Sequence, residues 1–541
     1  MCPHDTEGDA RYAARDTSGE RDAEQSSASV RFHFLARIPF SLPFSVSLCH
    51  LSDLRGLLLS LPLCERASPA IRSTRLTALD STQQNPPSQP EHDPYAALRE
   101  PNYRYFAGGW VLASMGLQMQ GTALAWEIYD KTKNPLALGF VSLSRAFPVL
   151  LLALPAGQIV DLLDRRKILI FTQIAFALAS ILLTLGSYHN VPVAWMYLLV
   201  ALTGCARVFN GPSRSSLLPQ IVRPEHFHNA VTWNSGVFQF SATLGPLAAG
   251  GLISLSALYG MGKDSAGIAH GVAWPVYAIA GVSCLWFALG CTMVRPYPDL
   301  VSKENKSGSI SVRQAISPSI LLPGILEGAR HVWREKTVFG ALALDLLAVL
   351  LGGATALMPV YAKDILHVGP VGLGALKAAP FVGALVVALL LAHRKPFERA
   401  GRNLLLCVAG FGACTIGFGF STSFWLSIAL LFTLGALDGV SVVIRHVLVS
   451  VRTPDRLRGR VSAVNSVFIE SSNELGGFES GLVARLFTPL ISVVSGGIGT
   501  IIVVIGMAFW LPELRRLGRL EMPKAEVEEA IEEEEEVKAS A

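Results

Sequence analysis

The chain has 541 residues, of which 51% are hydrophobic and only 16% are charged, and its mean hydropathy is +0.43. Soluble proteins carry about 25% charged residues, so this composition excludes a soluble multidomain enzyme, which would need charged amphipathic faces. The formal net charge of +4 indicates no nucleic-acid partner, because the basic residues are spread over loops between apolar segments.

Residues 1–94 stand apart from the rest of the chain. Residues 1–30 are polar and predict disorder. Residues 33–63 are apolar but are interrupted by prolines and charges, and no small-residue cleavage site follows them, so neither a span nor a signal peptide is predicted. A mis-assigned start codon is the alternative for this extension, although the next methionine is Met115.

Twelve apolar segments follow, each of about 18–25 residues and long enough to cross a ~30 Å hydrocarbon core as a helix. They lie at 107–129, 136–160, 168–187, 193–211, 230–257, 272–294, 338–361, 371–393, 403–421, 424–445, 461–484 and 489–511. The sequence therefore predicts an all-α membrane protein with twelve transmembrane helices.

Two blocks about 230 positions apart repeat each other. Arg214–Leu252 and Arg445–Leu482 each contain a basic residue, a Pro-acid pair and then a Gly-rich stretch. A duplicated hydrophobic chain is typical of a two-lobed transporter with its path between the halves. We therefore expect two pseudo-symmetric six-helix bundles, at residues 95–294 and 337–515.

The charges of the loops predict the orientation. The loops after the even-numbered spans hold most of the Lys and Arg residues, whereas the opposite loops hold only Lys131, Lys133, Lys263, Lys363 and Arg485. The positive-inside rule then places both termini in the cytoplasm, at the inner (plasma) membrane. The central connection 295–336 ends in Ile325–Trp333, which predicts a surface helix, and the tail 516–541 is acidic.

A Gly, an acid and a basic cluster occupy the tight loop between spans two and three. The run is Gly157-Gln-Ile-Val-Asp161-Leu-Leu-Asp164-Arg165-Arg166-Lys167. Gly allows two helices to approach closely. An acid at the membrane edge can cap a facing helix or pair with the neighbouring arginines, which predicts a latch that breaks when the halves rock. The alternative is a basic anchor at the inner surface.

This run resembles the signature of the major facilitator superfamily. Arg207-Val-Phe-Asn210-Gly211 resembles a second signature, with Asn where the family has Gln. Gly245-Pro246 with Gly250-Gly251 resembles the signature that is characteristic of exporters. The resemblance covers residues 95–520, although the second half lacks the Gly and Asp of the latch around His393–Arg402.

Within that family, the amino-acid sequence of several loop and helix-end segments is similar to that of the enterobactin-exporter and macrolide-efflux branch. The segments are Trp126–Asp130, Pro212–Pro219 and Arg458–Val461. The resemblance implies proton-coupled export of an amphiphilic small molecule, of the siderophore or macrolide type.

Charged side chains inside predicted spans are costly and mark functional sites by default. Such candidates for coupling or for lining the substrate cavity are Arg145, Arg207, Asp345, Asp438, Glu470, Glu474 and Glu127. Asp438 lies at the repeat position of Arg207, so the two could face each other across the cavity. For each residue, the alternative is an ion pair that only locks helices together, and for Glu127 it is a wetted position at the interface.

Proton coupling requires a carboxylate that binds a proton on one side and releases it on the other, with an arginine nearby to drive the release. Asp345, Glu470 and Glu474, with Arg145 or Arg207, supply both groups, but the sequence leaves open which pair meets.

Other functional classes are disfavoured. A membrane-embedded enzyme would need a nucleophile or a metal cluster, and the twelve histidines and eight cysteines are dispersed, so we expect no cofactor and no metal. No nucleotide-binding loop supports an ATP-driven pump, and the cytoplasmic loops are too small for a signalling receptor. An importer with the same fold remains the main alternative. We expect a monomer in the lipid bilayer that handles a small-molecule substrate, with protons as the coupling ion.

Overall fold

The computed structural model describes residues 93–260, 271–298, 318–394 and 397–518. Within these ranges the regular structure is helical, without strands. The extended helices are α1 Pro101–Thr132, α2 Pro135–Leu162, α3 Arg165–Tyr188, α4 Val193–Ile221, α5 Phe227–Leu258, α6 Trp274–Met293, α7 Pro318–Arg334, α8 Lys336–Leu351, α9 Gly369–Ala392, α10 Ala400–Phe420, α11 Phe424–Arg452, α12 Asp455–Leu486 and α13 Pro489–Trp510.

Ten helical segments among the described residues are long and apolar enough to cross a membrane. Each matches a predicted span, and the other two predicted spans, 107–129 and 461–484, lie within α1 and α12. The mean hydropathy of α12 is low because its middle carries Glu470, Asn473 and Glu474. A transmembrane helix can carry polar residues on a face that is shielded from lipid. Its mean hydropathy is then low, although the helix belongs to the bundle.

Short turns with capping side chains separate the helices at one end of the bundle. The Asn134 side chain accepts a hydrogen bond from the Leu136 amide at 3.1 Å, and Pro135 opens α2. Lys133, at a φ of 50°, ends α1 in the left-handed region. The Asn134 side chain satisfies an amide group that a helix start leaves unpaired, so the chain turns from α1 into α2 within two residues.

The predicted span 338–361 matches one candidate membrane segment, Lys336–Ile365, but it is not one continuous α-helix, since the chain breaks after α8. A 3₁₀ turn at Ala354–Leu357, a short α-helical turn and a π-helical turn at Tyr361–Ile365 complete the crossing. The break lies at Gly352 and Gly353, where a Cβ on Gly353 would collide with the Gly476 backbone of α12. Two adjacent glycines at a crowded crossing let the helix unwind there.

Two groups of helices build the bundle. Helices α1–α6 pack on one another and form the N-terminal half, whereas α8–α13 form the C-terminal half. The halves meet through two helix pairs, α2 with α12 and α5 with α9. One hydrophobic cluster contains residues of both halves, among them Ala123, Leu138, Tyr361 and Leu373. This shared cluster lies at the end of the bundle that carries the α1–α2 turn, so the halves are closed together there.

Helix α7, Pro318–Arg334, covers the segment predicted as a surface helix and is longer than expected. Its Val332 packs against Leu457 and Val461 of α12, and Glu327 forms an ion pair with Arg460. Trp333 remains 73% exposed. The helix therefore rests on the C-terminal half. The N-terminal extension up to residue 92 and the acidic run Glu532–Glu536 lie outside the described residues.

Candidate functional site

The two contacts between the halves are built in the same way. On one side, a Cβ on Gly139 of α2 would lie 3.1 Å from the Phe478 carbonyl oxygen of α12. On the other, a Cβ on Gly374 of α9 would lie 3.1 Å from Cα of Leu247 of α5. Leu247 and Phe478 are about 230 positions apart, which is the spacing of the internal repeat. Small residues therefore bring the backbones of the two halves together at both repeated contacts.

A group of charged side chains lies along these contacts, and we name it the charged cluster. It consists of Arg145 of α2, Arg207 of α4, Lys377 of α9, and Glu470 and Glu474 of α12. Arg207 lies 3.6 Å from Glu470 across the two halves, and Arg145 lies within electrostatic reach of both glutamates. Ser142 of α2 is within hydrogen-bonding reach of Glu474.

The geometry brings four of the predicted residues together. Glu470 and Glu474 are one helical turn apart, so both carboxylates point to the same side of α12. Arg207 and Glu470 keep 59% and 43% of their side chains exposed, which fits a cavity between the halves. The cluster can therefore exchange partners, either among its own charges or with a ligand, when the halves move.

A second set of polar contacts joins the halves near the α1–α2 turn, and we name it the inter-half latch. The Tyr129 hydroxyl donates to Asp364, and Asp130 forms an ion pair with Lys363. The Lys363 ammonium also lies 5.3 Å from the ring centre of Trp126. These residues connect α1 with the π-helical turn that follows α8, so they hold one end of the cavity closed.

Asp345 and Asp438 lie away from the charged cluster, inside the C-terminal half. Asp345 of α8 forms an ion pair with Arg445 of α11, and the two side chains are only 10% and 7% exposed. Asp438 and Asp345 line one small pocket with Phe411 and Ser441, and His446 lies within electrostatic reach. The sequence left open which arginine meets Asp345, and in the structure its partner is Arg445 of the same half, which the sequence analysis did not consider.

Asp438 also corrects an expectation from the repeat. It does not face Arg207 across the cavity, since it lies among Asp345, Arg445 and the walls of α8, α10 and α11. Arg207 faces Glu470 instead. The two repeat positions thus diverge in environment, with one directed to the interface between the halves and the other to the interior of one half.

The loop between α2 and α3 makes bonds within the N-terminal half. Arg166 donates to the backbone oxygen of Cys291 at 2.8 Å and to that of Thr292, so it caps the end of α6. Asp164 caps α3 by accepting from the Arg166 amide at 3.0 Å. Arg165 is buried. The Asp161 side chain lies outside the described residues, and the latch expected there remains a prediction.

Gly157 does not bring two helices together in this state. A Cβ on Gly157 would meet no atom within 4 Å, which contradicts the close approach inferred from its residue type. Gly211 of the second signature is equally open. The neighbouring Asn210 is buried and donates to the Thr172 hydroxyl at 3.0 Å, so it ties α4 to α3.

The exporter-type residues divide into crowded and open positions. A Cβ on Gly245 would lie 2.6 Å from Gln118 Cβ of α1, and one on Gly250 would lie 3.0 Å from Cα of Val371 of α9. The Pro246 carbonyl faces Gly374 of α9. Gly251, by contrast, has no neighbour within 4 Å of such a Cβ and lines an apolar crevice between α1, α5 and α6.

Glu127 lies apart from the charged cluster and from the cavity. Its carboxylate is 3% exposed, accepts hydrogen bonds from Ser187 and Tyr277 at 2.9 Å each, and lies 2.9 Å from the Lys131 ammonium. These contacts tie α1 to α3 and α6. The alternative that Glu127 is exposed to water at the membrane interface is therefore wrong. The residue joins three helices of one half.

Three features escaped the sequence analysis. Lys377 lies among the apolar residues of α9. Its charge inside a predicted span was a sufficient signal to identify it as a candidate functional residue. Arg445 was counted only as a loop cation, because the end of α11 was placed too early; the helix continues to Arg452. The latch residues Lys363 and Asp364 lie in a π-helical turn that no hydrophobic pattern predicts. The described residues contain no group of three or more potential metal ligands.

Comparisons with known proteins place this geometry in a family. The model of the Major Facilitator Superfamily matches residues 106–477. The multidrug efflux pump Tap of Mycolicibacterium fortuitum is 22% identical over 412 residues, which cover 74% of this chain and 93% of that protein.

Two siderophore transporters match over shorter lengths. The staphyloferrin A transporter of Staphylococcus aureus is 27% identical, covering 28% of this chain and 39% of its own length. The enterobactin exporter EntS of Escherichia coli is 26% identical, covering 36% of this chain and 47% of its own length. The chain thus matches less than half the length of each of these two relatives.

Solved structures share the fold. A bacterial homologue of the human lysosomal transporter Spinster, in an inward-facing and occupied conformation, has a TM-score of 0.59 at 14% identity, covering 79% of this chain and 98% of that chain. The xylose transporter XylE of Escherichia coli, in an inward-open conformation, has a TM-score of 0.54 at 11% identity, covering 76% and 96%. At these identities the likeness establishes the arrangement of helices.

Proposed function

Because this chain belongs to the Major Facilitator Superfamily, whose model matches residues 106–477, we propose that it is a secondary active transporter that exports an amphiphilic small molecule by alternating access. The observation that carries the proposal is the charged cluster between the halves, with Arg207 and Glu470 3.6 Å apart and contributed by different halves. Such contacts must change when the halves rock, as a transport site requires.

Export is supported by the relatives and by the packing of α5. Tap, matched over 93% of its length, is a multidrug efflux pump, and EntS is an enterobactin exporter. Gly245 and Gly250, in the exporter-type signature, lie at the contacts of α5 with α1 and α9. The substrate class that fits is an amphiphile, either a siderophore or a drug-like molecule.

The proposed orientation follows from the loops. With the basic loops inside, both termini are cytoplasmic, and the inter-half latch closes the outer end of the cavity in a plasma membrane. The structure then corresponds to the state that takes up its substrate from inside the cell. A monomer suffices for this cycle, because both halves of the path belong to one chain.

The coupling ion that we propose is the proton, with Glu470 and Glu474 as its carriers. A carrier must meet different neighbours in the two states, so that its proton affinity changes. Both glutamates face Arg145 or Arg207 of the other half, so rocking changes their surroundings. Asp345 and Arg445 belong to one half and would move together, which favours a structural role for that pair.

The test is a deletion strain grown under iron starvation beside the wild type and a complemented strain. We expect one or more amphiphilic compounds to be secreted less and to accumulate inside the deletion strain, and complementation to restore secretion. Identical secreted and intracellular profiles would argue against export. A compound that the wild type depletes faster from the medium than the deletion strain would favour import.

A further inference from the structure

Lys377 is the member of the charged cluster that the transport cycle described above leaves without a role. It lies eight positions into α9, which starts at Gly369, or ~12 Å from the end of the helix. The charged group within electrostatic reach of its ammonium is Arg145, another cation. Within the described part of the chain, no carboxylate forms an ion pair with Lys377, whereas Arg145 and Arg207 both have glutamates in reach.

The internal repeat explains why Lys377 lacks a partner. The two contacts between the halves correspond, with α12 of one matching α5 of the other. At about the 230-residue spacing of the repeat, Glu470 and Glu474 of α12 correspond to Gln239 and Thr243 of α5. One contact thus carries two carboxylates, and the contact that includes Lys377 carries two neutral side chains.

Those neutral side chains already have backbone partners. The Gln239 amide donates to the Phe381 oxygen of α9 at 2.6 Å, and the Thr243 hydroxyl donates to the Gln239 oxygen at 2.9 Å. Neither supplies a negative charge to Lys377. Lys377 is partly buried at the contact between the halves, a charged group inside a membrane-spanning helix is costly unless it is paired or lines a polar cavity, and the cluster has three cations for two carboxylates.

Resting on the proposed function, we infer that the transported molecule is an acid whose anionic group binds to Lys377, beside Arg145. A carboxylate, sulfonate or phenolate placed there would neutralise the surplus charge and bridge α9 of one half with α2 of the other. The apolar part of the molecule would extend between the halves. An amphiphile without a negative charge would leave the lysine unpaired and would therefore bind more weakly.

Binding of three matched fluorescent probes to purified full-length protein tests this inference. Dansylglycine is an acid, dansylamide is neutral and dansylcadaverine is a cation, and all three share the same fluorophore. We expect dansylglycine to bind most tightly to the wild type. Lys377→Gln should weaken dansylglycine by about tenfold or more, the worth of a hydrogen bond to a charged group, and leave dansylamide unchanged.

Two further variants make the test specific. Lys377→Arg keeps the charge and should keep the preference for the acid, and Lys336→Gln, which removes an exposed cation paired with Glu513, should behave as the wild type. Equal affinity of the wild type for dansylglycine and dansylamide would overturn the inference, as would an unchanged dansylglycine affinity in Lys377→Gln. Loss of dansylglycine binding in Lys377→Arg would overturn it too, because it would point to a lysine that must lose its proton.

The same probes separate this inference from the proposed function. In proteoliposomes, faster pH-driven transport of dansylcadaverine than of dansylglycine would agree with the proposed export function. It would overturn the inference that the transported molecule is an acid. Absence of directed transport for every probe and for every compound retained by the deletion strain would count against the exporter, while the binding preference would still decide the role of Lys377.

Discussion

The charged carboxylates differ in whether their partners belong to the other half or to their own half. Glu474 is contributed by α12 and meets Ser142 and Arg145 of α2, so its environment is shared between two bodies that move. Asp345 meets Arg445 within one half, and its environment moves with it. A group that couples protons to motion must be of the first kind.

Neutralising the glutamates should separate coupling from substrate movement. In proteoliposomes, we expect Glu474→Gln and Glu470→Gln to reduce pH-driven accumulation by about tenfold or more, the effect of losing an essential proton-transfer group. Substrate exchange at equal concentrations on both sides should survive, because it needs no net proton movement. Full pH-driven accumulation in both variants would show that neither glutamate is the essential carrier.

Asp345→Asn should act on stability instead. Breaking a buried ion pair leaves an uncompensated charge and costs about 3–5 kcal/mol, and Arg445 is only 7% exposed. We expect a lower melting temperature in detergent and partial recovery when Arg445→Gln is added.

The control for that variant is Glu513→Gln, which breaks an exposed pair with Lys336 and should cost less than about 1 kcal/mol. If Asp345→Asn melts with the wild type but loses pH-driven transport, Asp345 is a coupling residue, and the structural role is wrong.

The sequence identified six charged residues that the structure divides between the charged cluster and the interior of the C-terminal half, but it left their pairing open. Arg145, Arg207, Glu470 and Glu474 were recognised because charges inside apolar spans are rare. The partner of Asp345 could not be identified from the sequence, because its distance to Arg445 depends on how α8 crosses α11. That crossing is set by packing between helices that are far apart in the chain, and the hydropathy of the sequence does not predict it.

At the scale of elements, α5 is a helix with one face against the other half and one face against an apolar crevice. Gly250 lies on the first face and Gly251 on the second. The two positions are adjacent and share the same residue type, so they form a matched pair for testing the contact.

Gly250→Leu should impair transport, whereas Gly251→Leu should not. Added bulk at Gly250 meets the Pro370 backbone of α9, and overpacking of this kind costs about 1–3 kcal/mol, which is roughly five- to 150-fold in the population of the closed state. The measurement is the turnover rate at equal amounts of inserted protein. Equal rates for the two variants would mean that the α5–α9 contact does not limit the cycle.

The elements themselves were predictable where their cause is local. Apolar length located the ten segments of the described residues that are long and apolar enough to cross a membrane, and caps such as Asn134 set sharp ends. The break of the seventh span at Gly352 and Gly353 was not predictable from these signals, because glycine is common in membrane helices. Here they unwind the helix only because the Gly476 backbone lies against them.

For the whole molecule, the alternating access that we propose requires two opposite ends to open in turn. The sequence predicts a latch at the loop with Asp161, and the structure has polar contacts between the halves at the other end, where Tyr129 meets Asp364 and Asp130 meets Lys363. The two sites are compatible, because a transporter that alternates between two states needs one closure for each end. In the structure the end with Tyr129 is closed, and the bonds of Arg166 stay within its own half.

Locking the closed end should therefore stop transport reversibly. In a background without the eight native cysteines, we expect a disulfide between Asp130→Cys and Lys363→Cys to abolish transport, because the halves can no longer separate at that end. A reducing agent should restore the rate to that of the reduced double variant. Each single cysteine variant serves as the control, and its rate should not respond to oxidant or reductant.

Weakening the same latch should shift the resting population the other way. Lys363→Ala removes the ion pair with Asp130 and the contact with Trp126, which are partly exposed and together worth about 1–2 kcal/mol. The end closed in the structure should then open about five- to thirtyfold more often. A cysteine at Thr243, between the halves, should react correspondingly faster with a membrane-impermeant maleimide added from outside the cell. An unchanged labelling rate, together with full transport by the cross-linked Asp130→Cys/Lys363→Cys protein, would mean that these residues do not control access at that end.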